Sequence, residues 1–450
     1  MSSLSTTTTA ATSTPPSAND KCAVRGCETP YKQDAPCQCD VGCLVANDCC
    51  DDYNQLCTGE EEVSTPSPST FPESESTTSA ATTTTAKAED SCAARGCGSP
   101  YNPSRSCQCD ATCPQAGDCC SDYVGVCTAP KPPFPPPDGK IKIPGDDITF
   151  KVERLPNGPH IYPELFGLDP YWTSVIAGNI NGPSLMKVPS WVSNPLGVYY
   201  LYFSHHKGGY IRMAYADKIE GPYTIYEPGV LDEEDGAGGD HIASPDMIID
   251  EENQEIRMYY HMQQSDTNTT QLTWVALSDD GLTFTTLPQQ LGRPYFRTFI
   301  YKDRYYAWSK DYFRGGMMQR GDAEGLSEFE YGNACINLAR HSAVWVRGDS
   351  LYLFYTRIYD APETIYVTKI DLSKPWEQWH CPLGVKLMTP EMDWEGADLP
   401  ISTSFPGASN RRVHELRDPA IYEENGKLYM AYSYAGETGI AIVELIVEAA

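Results

Sequence analysis

Arg417-Asp418-Pro419-Ala420-Ile421-Tyr422, followed by Gly426-Lys427-Leu428-Tyr429-Met430-Ala431-Tyr432-Ser433, is the stretch that decides the fold. It reads as a short strand headed by a charged pair, a Gly-containing turn, and an aromatic-rich second strand. Four degraded copies precede it: 181–186 before 198–203, 241–247 before 256–261, 296–300 before 305–308, and 340–345 before 351–355. Third strands are expected at 211–215, 272–277 and 365–370. Units of roughly 50–75 residues with about four strands each indicate the blades of a β-propeller. The last unit has strands at 417–422, 427–434 and 439–446, one short of a blade. The free strand at 148–155 (ITFKVERL) is suited to supply the fourth and close the ring. The expectation is an all-β, five-bladed propeller over residues 148–450.

Composition narrows the rest. The chain has 450 residues, with 33 Lys+Arg against 61 Asp+Glu and a formal charge of −28. Nucleic-acid backbones need a basic face, so a nucleic-acid partner is not expected. No apolar run approaches the roughly 18 residues of a membrane span. Residues 1–20 lack the apolar core of a signal peptide. Residues 1–20 and 59–90 are Ser/Thr-rich and read as disordered spacers, and 129–147 as a stiff Pro-rich linker.

Sixteen of the 18 cysteines fall in two sets, Cys22, Cys27, Cys37, Cys39, Cys43, Cys49, Cys50, Cys57 and Cys92, Cys97, Cys107, Cys109, Cys113, Cys119, Cys120, Cys127. The second set repeats the first at a constant offset of 70. Segments this short cannot bury a sufficient core, and neither contains a histidine for a zinc knuckle, so disulfide scaffolds are expected at 21–58 and 91–128. Their pairing stays open. Cys37-Gln38-Cys39-Asp40 with Asp48-Cys49-Cys50-Asp51-Asp52-Tyr53, and Cys107-Gln108-Cys109-Asp110 with Asp118-Cys119-Cys120-Ser121-Asp122-Tyr123, resemble the somatomedin B domain along each module's full length. The resemblance implies extracellular protein-binding knots and hence an extracellular protein partner, against the alternative of inert spacers. Together these features predict a secreted protein, its N-terminus missing from this sequence or its export unconventional. Cys335 and Cys381 flank the fourth unit and are expected to pair, and Asn268-Thr269-Thr270 is a glycosylation acceptor.

Propeller geometry selects the candidate site. Inner-strand heads and the turns after each second strand share one face. Asn181, His241, Asp246, Arg297, His341, Arg417 and Asp418 should therefore cluster about the axis, rimmed by His205, His206, Lys310, Asp311 and Glu437. Glycoside hydrolysis needs two carboxylates, one held protonated and one ionised. Asp418, Asp246 and Glu437 are the catalytic candidates, with Arg417 expected to keep Asp418 ionised and burial expected to raise Asp246. The structural alternatives are a closing salt bridge for Asp418, a strand-start hydrogen bond for Asp246, and solvated turns for Asp311 and Glu437.

Asp418-Pro419 with its Gly turn and Tyr strands, together with Ser244-Pro245-Asp246, resembles the five-bladed glycoside hydrolases of family 43 and their relatives. The resemblance implies a sugar-cleaving propeller with an Asp base and a second, pKa-tuning Asp. No Glu matches the family's acid, and Asn181-Gly182-Pro183 stands where the first blade's Asp-Pro is expected. Relatives often hold calcium in the channel, so calcium is the one cofactor the resemblance suggests. No cofactor is required and no calcium-type acidic loop is present. Asn181, His205, His206, His241, Arg297, His341 and Arg417 are the expected substrate-binding residues, a cationic set suited to an anionic polysaccharide. The expected function is hydrolysis of such a glycan by paired carboxylates. Its alternatives are a His/Tyr polysaccharide lyase and a non-catalytic glycan-binding adhesion protein. Trp191 and Trp394 are candidates for stacking on sugars.

Overall fold

The computed structural model describes residues 107–108, 119–120, 139–166, 179–206, 208–264, 271–311, 315–409 and 411–450. The chain divides into two units, Met1–Pro130 and Lys131–Ala450. In the first, Cys107 and Cys120 form a disulfide, and Gln108 bridges Cys119. The other expected disulfide cysteines except Cys119 lie outside the described residues, as does Asn268.

The second unit is a five-bladed propeller. Blade one comprises Asn181–Lys187, Tyr199–Ser204, Tyr210–Ala216 and Thr224–Asp232. Blade two comprises Ala243–Asp250, Glu255–Gln263, Gln271–Ser278 and Thr285–Thr286. Blade three comprises Arg297–Ile300, Tyr305–Asp311, Gly315–Arg320 and Glu330–Cys335. Blade four comprises Ala339–Arg347, Ser350–Arg357, Ile365–Asp371 and Val385–Met388. Blade five comprises Leu416–Glu424, Lys427–Tyr434 and Gly439–Ala449. Ile148–Arg154 completes it, running antiparallel to Gly439–Ala449 from Ile148↔Ala449 to Arg154↔Val443. The free strand thus closes the ring as expected. Ile141–Lys142, within the stretch read as linker, adds a short fifth strand.

Second strands are buried on both faces because each blade is sandwiched between two others. Tyr199–Ser204 and Lys427–Tyr434 are consequently near-continuous buried runs without alternation. Five apolar clusters fill the five gaps between blades. Tyr202, Met213, Met258 and Tyr260 join blades one and two, Tyr259, Phe296 and Ala307 join two and three, and Trp308, Leu353 and Trp379 join three and four. Phe150, Phe354 and Tyr432 join four and five, and Leu201, Phe203 and Ala431 join five and one. Cys335 and Cys381 are bonded, as expected.

A recurrent irregularity shapes the inner-strand heads. Register shifts fall between Asn181 and Ser184, Ala243 and Asp246, Ala339 and Ser342, and Arg417 and Ala420. In blades one, two and five the second residue of the bulge is left-handed: Gly182 at φ 60°, Ser244 at 52° and Asp418 at 49°. A proline follows each, tolerated because the bulge leaves its missing N–H unneeded. Gly182 is therefore the structural counterpart of Asp418, which accounts for the first blade's departure from the Asp-Pro pattern.

Candidate functional site

Polar contacts tie each head to the next around the axis. Gly182 N–H donates to Asp418 Oδ2 at 3.4 Å, linking blades five and one. Met247 N–H donates to Ser184 Oγ at 3.1 Å, linking one and two. Thr298 N–H donates to Asp246 Oδ2 at 2.7 Å, linking two and three. Arg297 spans blades two to four, donating to Pro245 O at 2.9 Å and to Ser342 O at 3.0 Å. His341 Nδ1 contacts Asp418 Oδ1, linking four and five.

Asp418 is fully buried, and its second oxygen also accepts from Ser433 Oγ at 2.8 Å. Arg417, expected to pair with it, pairs elsewhere. The guanidinium turns away to Glu415 at 2.5 and 2.9 Å, to Glu437 at 2.8 Å and to Gly407 O at 3.3 Å. Arg340 is bound to Glu363 at 2.8 and 3.1 Å and to the Phe405 and Gly407 carbonyls. Two arginines and three glutamates, all buried, thus form one internal network, because a buried charge is tolerated only when paired. Arg297 is likewise occupied, with Asp246 at 3.6 Å. The expected cationic pocket is therefore not what the arginines build: they are neutralised structural ties.

Glu437 and Asp311 are buried rather than solvated. Glu437 accepts from Asn179 Nδ2 at 2.5 Å and Asn181 Nδ2 at 3.2 Å as well as from Arg417. Burial opposes its ionisation, but Arg417, His206 and the Asn179 amide overcome this and hold it below the usual range. The Asn181 side-chain oxygen accepts from Ser204 Oγ at 3.0 Å. Asp246 is raised, as expected: burial outweighs Arg297 and the Thr298 N–H. His205 is buried beneath the mouth and pulled down to about 4 by burial and Arg212.

The side chains that reach the mouth are imidazoles, a phenol and an ammonium. His206, His241, Tyr295, Lys310 and His341 are partly exposed, and His261 is buried among them. Their rings form a chain, with centroids 5.9 Å apart for His206–His241, 5.5 Å for His241–His261, 4.1 Å for His261–Tyr295 and 4.6 Å for Tyr295–His341. Lys310 Nζ lies 5.2 Å from the Tyr295 ring centre. Burial, with Lys310, Arg340, Arg297 and Arg417 nearby, holds His341 well below its ordinary value and hence neutral. Burial pushes the Tyr295 phenol up, with Glu437 adding to the shift. Burial, Arg340 and Arg417 bring Lys310 down to about 7, against Glu363 and Glu437.

Calcium takes six to eight oxygen ligands. The groups about this axis are arginines, a lysine, imidazoles and carboxylates already engaged. Among the described residues, no group of three His, Cys, Asp or Glu is arranged to hold a metal. Calcium does not fit this donor set. Trp191 lies away from the mouth, bound to Glu251 at 2.9 Å beside the turn between the first two strands of blade two. Among the described residues no helix is long and apolar enough to cross a membrane.

Sequence reasoning missed Tyr295, which precedes the third head in Arg293-Pro294-Tyr295, and left Ser433 without a role. It also missed Asn179, Glu363 and Glu415. The need of two buried arginines for counter-charges is the one signal for the glutamates, and it names no partner.

The somatomedin B domain family matches residues 20–60 and 90–130. Among solved structures the chain is similar to a family-43 β-xylosidase/α-arabinofuranosidase from a compost microbial metagenome (14% identity, 66% of this chain and 98% of that one, TM-score 0.44). It is also similar to an N-acetylgalactosamine deacetylase from F. plautii (10% identity, 66% and 95%, TM-score 0.43). The uridylate-specific endoribonuclease of Bos taurus is 40% identical over 109 residues, 24% of this chain and 25% of that protein. The chain therefore spans a quarter of that relative's length. The uncharacterized protein R118 of Acanthamoeba polyphaga mimivirus is 35% identical over 293 residues, 58% of this chain and 82% of that protein. The chain belongs to the family of that mimivirus protein, and it carries two somatomedin B matches besides.

Proposed function

We propose that the propeller is a carbohydrate-active enzyme that cleaves a uronate-containing glycan by proton transfer at His341 and Tyr295. The observation that carries this reading is the layering of the site: imidazole, phenol and ammonium groups reach the mouth, while Asp418 and Glu437 lie buried behind them with their oxygens engaged. The resemblance of Asp418-Pro419 and Ser244-Pro245-Asp246 to sugar-cleaving propellers supports the substrate class.

Contact with Asp418 favours the His341 tautomer that carries its proton on Nδ1, which leaves Nε2, a buried atom without a hydrogen-bond partner, as the base once substrate enters. That base takes the proton from the carbon beside the uronate carboxylate. The neighbouring C–O bond breaks with formation of a carbon–carbon double bond, and the Tyr295 phenol returns a proton to the leaving oxygen. Lys310, beside Tyr295, is placed to meet the substrate carboxylate. The somatomedin B matches and the Cys335–Cys381 disulfide support a secreted protein, with the modules tethering it to an extracellular protein.

A second reading, hydrolysis with Asp246 as the acid, is favoured by that group's raised pKa and partial exposure. The variants Tyr295→Phe and Asp246→Asn separate the two. On a uronate glycan such as polygalacturonate or alginate, elimination predicts loss of cleavage in Tyr295→Phe and near-normal cleavage in Asp246→Asn. The reverse pattern supports hydrolysis.

A further inference from the structure

A cavity of about 360 Å³ opens on blade five, outside the mouth. It is lined by Tyr162, Trp394 and Tyr434, with Glu164 and Arg412 as its charged groups. Thr438, the residue after Glu437, forms part of its wall, so the turn that carries one of the site's carboxylates also borders the cavity. The volume falls at the small end of the roughly 300–1,000 Å³ typical of ligand pockets.

The aromatic wall is held in place from both sides. Trp394 packs edge-to-face on Tyr434, with centroids 5.2 Å apart and planes at 86°. The turn that carries it is fixed by Glu395, which is fully buried. Glu395 accepts from Arg154 at 2.9 and 2.7 Å, from Tyr432 Oη at 2.6 Å, and from the Glu391 and Met392 amides at 2.8 and 3.0 Å. Arg412 Nη2 donates to Asp393 O at 2.7 Å on the other side. The stacking surface is thus formed before any ligand arrives, which lowers the entropic cost of binding.

We propose that this cavity is a saccharide-binding subsite for a neutral pyranose, separate from the mouth. Aromatic faces accept the C–H face of a pyranose ring, and a carboxylate with a guanidinium offers an acceptor and donors for its hydroxyls. Arg412 is already engaged by Asp398 at 3.7 Å and by the Asp393 carbonyl, so the exposed Glu164 carboxylate disfavours a uronate and the site selects neutral sugars. The proposal goes beyond the chemistry of the mouth and stands whether or not that site cleaves glycans.

The test is saturation-transfer NMR, with affinities from titration, of the full chain against the methyl glycosides of glucose, galactose, xylose and mannose, with methyl glucuronoside as the anionic counterpart. Wild type and Asp418→Asn should bind at least one neutral glycoside equally. Trp394→Ala and Glu164→Gln should each weaken it about tenfold, a loss the size of one or two hydrogen bonds. Glu164 is exposed, so its substitution leaves the fold intact. The proposal is overturned if no neutral glycoside binds, if Glu164→Gln binds as wild type, if the glucuronoside binds more tightly, or if Asp418→Asn abolishes binding.

Discussion

Asp418 adopts a left-handed conformation at φ 49°, is wholly buried, and faces His341, Ser433 and the Gly182 amide. A non-glycine residue is held in that region only when its surroundings over-determine it, and here contacts from two other blades and from its own converge on one carboxylate. Of these partners only His341 is partly exposed at the mouth. Tyr295 follows the same logic: its phenol stays protonated because burial opposes the phenolate. Tyr295→Phe should lower kcat by about 10²- to 10⁴-fold, the usual contribution of a positioned proton donor, with KM little changed. A rise in KM at constant kcat would make Tyr295 a binding residue only. Lys310 gives a second residue-scale prediction. An unfolded lysine titrates near 10.4, against about 7 here. Below about pH 7 both states hold the proton and the folded state bears the full cost of burying it. Between about 7 and 10.4 only the unfolded chain holds it, so this group makes stability rise with pH across that window. Urea midpoints at pH 7 and pH 9 should rise more in wild type than in Lys310→Met, and equal rises would contradict the shift.

At the scale of elements, the closing strand and the head bulges do different work. Ile148–Arg154 seals the ring, and Phe150 fills the gap between blades four and five, edge-on to Trp345, Tyr352 and Phe354. Phe150→Ala should cost about 3–5 kcal/mol of unfolding free energy by the cavity it leaves. A denaturation midpoint unchanged from wild type would show that the strand is not part of the cooperative unit. The strand was legible in sequence because an unpaired start and an incomplete last blade require each other. The bulges were half legible. Ser244-Pro245 and Asp418-Pro419 marked them, but only the register shows that Gly182, Ser244 and Asp418 are equivalent, whereas Asp246 aligns with Ser184 and Ser342. That alignment explains why Asp246 and Ser184 both accept an amide from the next blade: the position is a latch.

For the whole propeller, five apolar clusters in five gaps make the ring a repeat in energy as well as in sequence. Repetition is why the heads could be placed on one axis from sequence alone. Groups outside the repeat were illegible for the same reason. Glu363 and Glu415 sit in connecting segments, Tyr295 just ahead of its head, and nothing in a lone Glu or Tyr announces its partner. The arginines show the cost of that gap: conspicuous in sequence, they are consumed by those unseen glutamates, and imidazole, phenol and ammonium groups take their place at the mouth. In the proposed reaction Asp418 acts through His341 on a uronate glycan. Wild type and Asp418→Asn should be assayed on neutral and uronate-containing glycans, scoring both new reducing ends and the ultraviolet absorbance of an unsaturated product. Wild type should give absorbing product from a uronate glycan, and the variant should lose about 10²- to 10⁴-fold of that activity. Reducing ends without absorbance, no cleavage of any glycan, or a variant as active as wild type would contradict it.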